Sequence, residues 1–157
     1  MSSFPSAQPA SAFAASALKA QTALDNGPGA HRIGLIALAS DYVVERDFMN
    51  MRPSDEVAVF VSRVLNVNPC TVENLRTMGP RLADAASLII PDGRLDVMVY
   101  CCTSGTTAMG YDTVADSIHT ARPGIPVITP ITAGLRALRQ FNAEQIAKGM
   151  MGMIDMV

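Results

Sequence analysis

The sequence predicts an α/β protein with an open parallel sheet and helices on both faces. Four short apolar runs with little or no polar alternation recur along the chain, as in strands covered on both sides. Segments with helical spacing separate these runs, so strand and helix alternate four times. Parallel strands joined by helices need right-handed crossovers, and the order favours a flavodoxin-like topology.

The elements follow one another with short connections. In order, we expect a strand over 32–38, a helix over 42–51, a strand over 56–64, a helix over 72–89, a strand over 95–101, a helix over 108–120, a strand beginning over 125–128 and a helix over 133–141.

Capping and helix-breaking residues set the predicted boundaries. Ser40-Asp41 forms a turn and helix cap after the first strand, and Thr71 caps the second helix. Gly79-Pro80 falls inside that helix and predicts a kink. Thr132 is the expected cap of the last helix.

Composition excludes several classes of protein. The 157 residues suit one domain, and the formal net charge is −2 with no basic run, which argues against nucleic acid as a partner. No apolar run approaches the roughly 18 residues of a membrane helix. Three cysteines do not suggest a disulfide framework, so we expect a cytoplasmic location. No spacing of metal-ligating residues predicts a metal site.

The two ends of the chain differ from its middle. Residues 1–31 are rich in Ala, Ser, Pro and Gly and predict a disordered leader. The folded α/β domain is expected over 32–147. Four of the ten methionines fall in residues 148–157, an abrupt shift that predicts an atypical tail, such as a truncation or a shifted reading frame would produce.

The most informative segment is Cys101-Cys102-Thr103-Ser104-Gly105, where a buried strand meets a helix. Ligands of open α/β sheets bind at such carboxyl ends, and amides at a helix start attract anions and favour thiolates. Cys102 is therefore a candidate nucleophile or acid/base thiol, or else a small buried residue at a strand end. Thr103 and Ser104 would bind a carboxylate, or simply cap the helix.

Two further turns reach the same edge of the predicted sheet. Ser40-Asp41 ends the first strand, and Asp41 would orient a substrate amine or act as an acid/base partner, with a plain helix cap as the alternative. The segment from Pro130 to Thr132 ends the fourth strand. Three converging turns predict a pocket for a small carboxylate or amino acid.

The remaining polar candidates are weaker. Cys101 should face away from Cys102 and pack, and Cys70 merely precedes a helix. His31 lies at the junction between the predicted leader and the first strand, and His119 lies near the end of a predicted helix, so both are poor candidates for a site. Neither G-x-G-x-x-G nor G-x-x-x-x-G-K-[ST] occurs, so a nucleotide cofactor of those kinds is not supported.

These residues carry a family resemblance over about 32–147. The chain resembles the maleate isomerase and arylmalonate decarboxylase branch of the Asp/Glu racemase superfamily, and in detail its ectoine-utilisation members. The matching segments are Gly34–Asp41, Met51-Arg52-Pro53, Val67–Leu75, Asp96–Gly105 and Pro126–Leu138.

The resemblance implies a fold and a chemistry. Members have two similar α/β halves, each of which supplies a cysteine to a pocket between them, and they need no cofactor or metal. In racemases one thiolate removes the α-proton and the other thiol returns a proton. In maleate isomerases the first cysteine adds to the double bond, the central bond rotates and the thiol leaves.

The resemblance also assigns roles. Cys102 takes the place of the first cysteine, and Thr103 and Ser104 take the place of carboxylate-binding groups. Asp41 stands where maleate isomerases carry an asparagine. Its charge would repel a second substrate carboxylate and would suit an amine, as in amino acids from ectoine breakdown.

Two functions therefore stand after the sequence analysis. The first is a cofactor-independent isomerase or racemase that uses Cys102 on a small carboxylate or amino acid. The second is an inactive half-domain or a carboxylate-binding module without catalysis, because the resemblance covers only the first half of the family's fold. Association of two chains as a homo-oligomer is one way to supply a second thiol. A flavodoxin-like electron carrier ranks below both.

Overall fold

The computed structural model describes residues 27–140. Its strands are β1 (His31–Leu38), β2 (Val57–Val64), β3 (Val97–Tyr100) and β4 (Val127–Ile128). Its helices are α1 (Val44–Met51), α2 (Val72–Arg76), α3 (Gly79–Ser87), α4 (Thr103–Met109), α5 (Tyr111–Ala121) and α6 (Pro130–Gln140).

The four strands form one parallel sheet in the order β2-β1-β3-β4. The predicted α/β class is confirmed, and this order is the one that opens a flavodoxin-like sheet. Strand β1 is central, pairing Leu35 with Val61 on one side and with Val99 on the other. The sheet therefore aligns the carboxyl ends of β1, β3 and β4 along one edge.

Alternation along the strands divides the buried residues between the two faces. Ile36, Met98 and Tyr100 belong to the core cluster with Leu82 of α3 and Ile118 of α5. Right-handed crossovers place α2 to α5 on this face and α1 on the other. The described part of the chain therefore has its main core between the sheet and the α3/α5 pair.

The helix predicted over 72–89 is two helices. Helix α2 ends at Arg76 and α3 begins at Gly79, with Pro80 in its first turn. A proline nitrogen carries no hydrogen for the bond back along a helix, but the first turn needs none. The expected kink is thus a complete break, and the prediction of one continuous helix is wrong.

The helix predicted over 108–120 is also divided. Helix α4 begins at Thr103, and Gly110 ends it with a φ of 84°. Helix α5 then starts at Tyr111. Only glycine adopts this φ without strain, so the chain changes direction there.

Other boundaries differ by a few residues. Strand β1 begins at His31, inside the predicted leader, while β3 and β4 are shorter than expected. Helix α6 starts at Pro130, so Thr132 lies within its first turn and is not its cap. Residues 1–26 of the predicted leader and the predicted tail lie outside the described residues. No helix in the described part of the chain has the length and apolar character to cross a membrane.

The amino edge of the sheet is tied together by arginines. Arg122 donates to the carbonyls of Ile90 and Gly93 at 2.7 and 3.1 Å, and also to that of Ile89. Asp96 accepts from the Arg32 amide at 2.8 Å and from the Arg94 guanidinium at 2.7 Å. The loop that leads into β3 is therefore fixed by charged hydrogen bonds.

Candidate functional site

Cys102 is the residue on which the site is built. It caps α4, and its Sγ accepts a hydrogen bond from the Gly105 amide at 3.2 Å. Its side chain belongs to the core cluster, and the residue is 5% exposed. The strand end and the helix start thus hold the sulfur in one position with an amide donor aimed at it.

A tyrosine and a glycine shape the space behind the sulfur. Tyr100 is fully buried, and burial together with the nearby Cys102 thiol raises its pKa. Its hydroxyl lies 3.6 Å from the Met78 sulfur. A Cβ at Gly105 would stand 2.5 Å from the Tyr100 oxygen and 2.9 Å from Cys102 Sγ. Position 105 therefore has no room for a side chain.

Hydroxyl groups lie on the exposed side of Cys102. Ser104 Oγ is 3.6 Å from Cys102 Sγ, and the Cys70 thiol lies 3.9 Å from the same oxygen. Thr103 is exposed in the first turn of α4. The structure thus brings the Ser104 hydroxyl close to the sulfur and adds a second thiol near that hydroxyl.

A cavity of about 510 Å³ opens beside Ser104, between α2 and α4. Val72, Leu75 and Ala108 give it apolar walls, and Arg76 lies at its margin. Another cavity, of about 480 Å³, is at the amino edge around Arg122. We place the candidate site at the first, because Ser104 lines it and the Ser104 hydroxyl lies 3.6 Å from Cys102 Sγ.

Asp41 follows β1 at the same edge of the sheet. Its Oδ1 accepts from the amides of Val43 and Val44 at 2.9 and 3.0 Å. These bonds, with the Arg63 guanidinium nearby, lower its pKa below the usual 3.8. Asp41 is thus ionised and binds the first amides of α1, but it lies two residues before the cap position, because the N-cap residue of α1 is Val43 and not the predicted Asp41.

Arg63 fixes the turn that carries Asp41. Its guanidinium donates to the Leu38 carbonyl at 2.9 Å and to the Asp41 carbonyl. It also pairs with the Glu45 carboxylate at 2.5 Å. The neighbouring Ser40 amide donates to Asn66 Oδ1 at 3.2 Å, and the Ser40 side chain is exposed.

Cys101 lies on the side of Asp41. It is partly buried, and burial raises its pKa to about 11, with further contributions from the charge of Asp41 and from Cys102. It is absent from the core cluster that holds Cys102. The two adjacent cysteines therefore have different surroundings, and Cys101 stays a protonated thiol at neutral pH.

Thr132 is engaged with Thr129. The Thr129 amide donates to Thr132 Oγ1 at 2.9 Å, and the Thr132 amide donates to Thr129 Oγ1 at 3.3 Å. This reciprocal arrangement caps α6. Among the described residues the hydrogen bonds of Thr132 reach only Thr129, so its role in substrate binding stays a prediction.

Sequence reasoning missed two neighbours of Cys102. The sequence shows Tyr100 only as an aromatic residue in a buried strand. The glycine at position 105 was the one sign in the sequence that another side chain fills the space next to that position. Cys70 was passed over as a weak candidate. It reaches Ser104 only because α2 packs against α4, a contact that no local pattern encodes.

Solved structures with a similar fold include maleate isomerases. The Pseudomonas putida maleate isomerase Iso aligns with a TM-score of 0.53 and 22% identity over 69% of this chain and 48% of that chain. A cysteine-to-serine variant of Nocardia farcinica maleate cis-trans isomerase has a covalently bound succinylcysteine intermediate. It aligns with a TM-score of 0.55 and 21% identity, again over 69% of this chain and 48% of that chain. The Nocardia enzyme bound to TRIS aligns with a TM-score of 0.53 and 23% identity.

The chain has the fold of the maleate isomerases. It spans about half the length of those structures. No model of a known protein family matches the sequence, and no curated protein matches it. The identities are low, so these likenesses establish the fold, and chemistry must be argued from the site itself.

Proposed function

We propose that the chain is the thiol-bearing half of a cofactor-independent isomerase or racemase of the Asp/Glu racemase superfamily, acting on a small carboxylate or amino acid. The observation that carries the proposal is Cys102, a strand-end cysteine with the Gly105 amide at 3.2 Å and the Ser104 hydroxyl at 3.6 Å. The covalent succinylcysteine in a protein of the same fold supports chemistry at a cysteine.

The proposed isomerase step is a reversible addition. The Cys102 thiolate forms a carbon–sulfur bond to one alkene carbon, and the π electrons move onto the carbon beside the carboxylate. The central bond, now single, rotates. The electron pair then re-forms the double bond and expels the thiolate, so that no atom is gained or lost. In a racemase the same thiolate would instead take the α-proton.

Polar groups at the edge would hold the substrate. Ser104 and Thr103 present exposed hydroxyls on the first turn of α4, beside the sulfur. Ser40 and Thr132 are proposed as further contacts from the neighbouring strand ends. The carboxylate would also meet the positive end of α4, which favours an anion.

Asp41 would select the substrate class. Its carboxylate is ionised at neutral pH because two backbone amides and Arg63 stabilise the charge. A fixed negative charge favours a substrate ammonium group and disfavours a second carboxylate. We therefore propose an amino acid rather than a dicarboxylate such as maleate, which is compatible with a role in ectoine breakdown.

A carboxylate-binding module without catalysis is the second candidate. It is favoured by one observation: the chain spans about half the length of the isomerases it resembles. Binding without turnover needs only the hydroxyls and the helix start.

Turnover by the purified chain tests the first proposal. Proton NMR in D₂O would follow α-proton exchange in a panel of amino acids and the conversion of maleate to fumarate. We expect the parent chain to catalyse exchange or isomerisation. The Cys102→Ala variant should lose this activity, and the Cys101→Ala variant should keep it. Unchanged turnover in Cys102→Ala would refute the role of Cys102. Ligand-dependent thermal stabilisation without turnover would favour the binding module.

The substrate class has its own test. Asp41→Asn keeps a side-chain oxygen for the helix cap but removes the charge. We expect its preference to shift from amino acids towards dicarboxylates by about tenfold, about 1.4 kcal/mol. A variant with the parent preference would show that Asp41 only caps α1.

A further inference from the structure

Two of the three cysteines share one hydroxyl group. Ser104 Oγ lies 3.9 Å from Cys70 Sγ and 3.6 Å from Cys102 Sγ. The two thiols come from different parts of the chain, one just before α2 and the other at the start of α4. Their proximity results from the packing of α2 against α4.

We propose that Cys70 and Cys102 form a redox pair, in which a hydroperoxide oxidises Cys70 and Cys102 then closes an intramolecular disulfide. This makes the candidate site a modification site. The proposal is independent of whether the chain turns over a substrate, because it concerns only these two sulfurs.

Exposure sets the order of the two steps. Cys70 is exposed, whereas Cys102 is 5% exposed and capped by the Gly105 amide. Hydrogen peroxide therefore reaches Cys70 first. The Cys70 thiolate attacks one peroxide oxygen, the O–O bond breaks, and the products are a sulfenic acid and hydroxide.

The second step needs no further reagent. The Cys102 sulfur attacks the Cys70 sulfur, the S–S bond forms, and the hydroxyl group leaves with a proton as water. In total, two thiols and one hydrogen peroxide give one disulfide and two waters. A dithiol reductant restores both cysteines.

Closing the bond requires one sulfur to move, because a disulfide is about 2.05 Å long. Cys102 is held by the strand, the helix and the core cluster. Cys70 lies in the exposed connection between β2 and the single-turn helix α2. The movement is therefore assigned to Cys70.

Cys101 does not compete for this bond. Adjacent cysteines in an extended strand point to opposite sides and rarely pair. Cys101 is also partly buried near Asp41, and its pKa of about 11 keeps it protonated. The pairing is thus selective among the three thiols of the chain.

The test uses the whole chain with a small molar excess of hydrogen peroxide, followed by alkylation and mass-spectrometric peptide mapping. We expect a Cys70–Cys102 disulfide in most molecules, with Cys101 alkylated. Dimedone, which labels sulfenic acids, should mark Cys70 at least tenfold more in Cys102→Ser than in the parent. Cys70→Ser should leave Cys102 reduced, and the control Cys101→Ser should form the disulfide like the parent.

Three results would overturn the proposal. These are a link between Cys101 and Cys102, a disulfide between two copies of the chain on a non-reducing gel, and over-oxidation of Cys70 without any link. The parent chain alone distinguishes these outcomes, so the test does not depend on the folding of a variant.

Discussion

The two edges of the sheet use polar groups differently. At the amino edge, Arg122 donates to backbone carbonyls, and Asp96 accepts from the Arg32 amide and from an arginine guanidinium. At the carboxyl edge, the hydroxyls of Thr103 and Ser104 are exposed beside a cysteine. The difference teaches that one edge is built for stability, whereas the other keeps groups available for a ligand.

The largest expected effect is at the amino edge. Arg122→Ala leaves the carbonyls of Ile90 and Gly93 without their charged donor and should lower the free energy of unfolding by about 3 kcal/mol. Urea unfolding measures this. The control Arg136→Ala, on exposed α6, should change it by less than about 0.5 kcal/mol. Equal losses of unfolding free energy at the two positions would show that Arg122 stabilises the fold no more than an exposed arginine does.

The second prediction concerns the space behind Cys102. Gly105→Ala should destabilise the fold by about 2 kcal/mol, because the new methyl group meets Tyr100 Oη and Cys102 Sγ below 3.0 Å. Gly134→Ala in α6 is the matched control, since nothing lies within 4 Å of its Cβ. That change should stabilise the chain by up to about 1 kcal/mol. Relative to the parent, the midpoint temperature of thermal unfolding should thus fall in Gly105→Ala and rise in Gly134→Ala.

The third prediction concerns the cap formed by Asp41. Asp41→Ala should cost about 1 kcal/mol at neutral pH. Because the pKa of Asp41 is lowered in the folded state, its contribution is present above pH 3.8 and is lost as pH falls through the folded pKa. Parent and variant should therefore converge in acid. A constant difference between parent and Asp41→Ala from neutral pH into acid would contradict the lowered pKa of Asp41.

The smallest effect near neutral pH belongs to Cys101. Burial raises its pKa from 9.0 to about 11, so the folded state resists its ionisation. Its contribution to stability is complete below pH 9 and declines as pH rises from 9 through 11. Cys101→Ser should flatten the alkaline decline in unfolding free energy. If the unfolding free energies of the parent and Cys101→Ser declined in parallel between pH 9 and 11, the raised pKa of Cys101 would be contradicted.

The sequence predicted the fold because its signals are local. Apolar runs and capping residues gave the order of strands and helices, and Cys102 was found from its place between a strand and a helix. The helix breaks were harder, since the positive φ of Gly110 depends on how α4 and α5 pack. The neighbours of Cys102 were harder still. Cys70 reaches the Ser104 hydroxyl only because α2 packs against α4, whereas Tyr100 lies two residues before Cys102 on the same extended segment.

The central position of β1 has a consequence for synthesis. This strand is the first to leave the ribosome, yet it hydrogen-bonds on both sides to strands made later, β2 and β3. At about 5–20 residues per second, several seconds pass before residues up to Tyr100 have been added. During that interval an apolar strand waits with both edges open, the condition under which nascent chains associate with one another. Of the four described strands, β1 therefore waits longest for its full set of sheet hydrogen bonds.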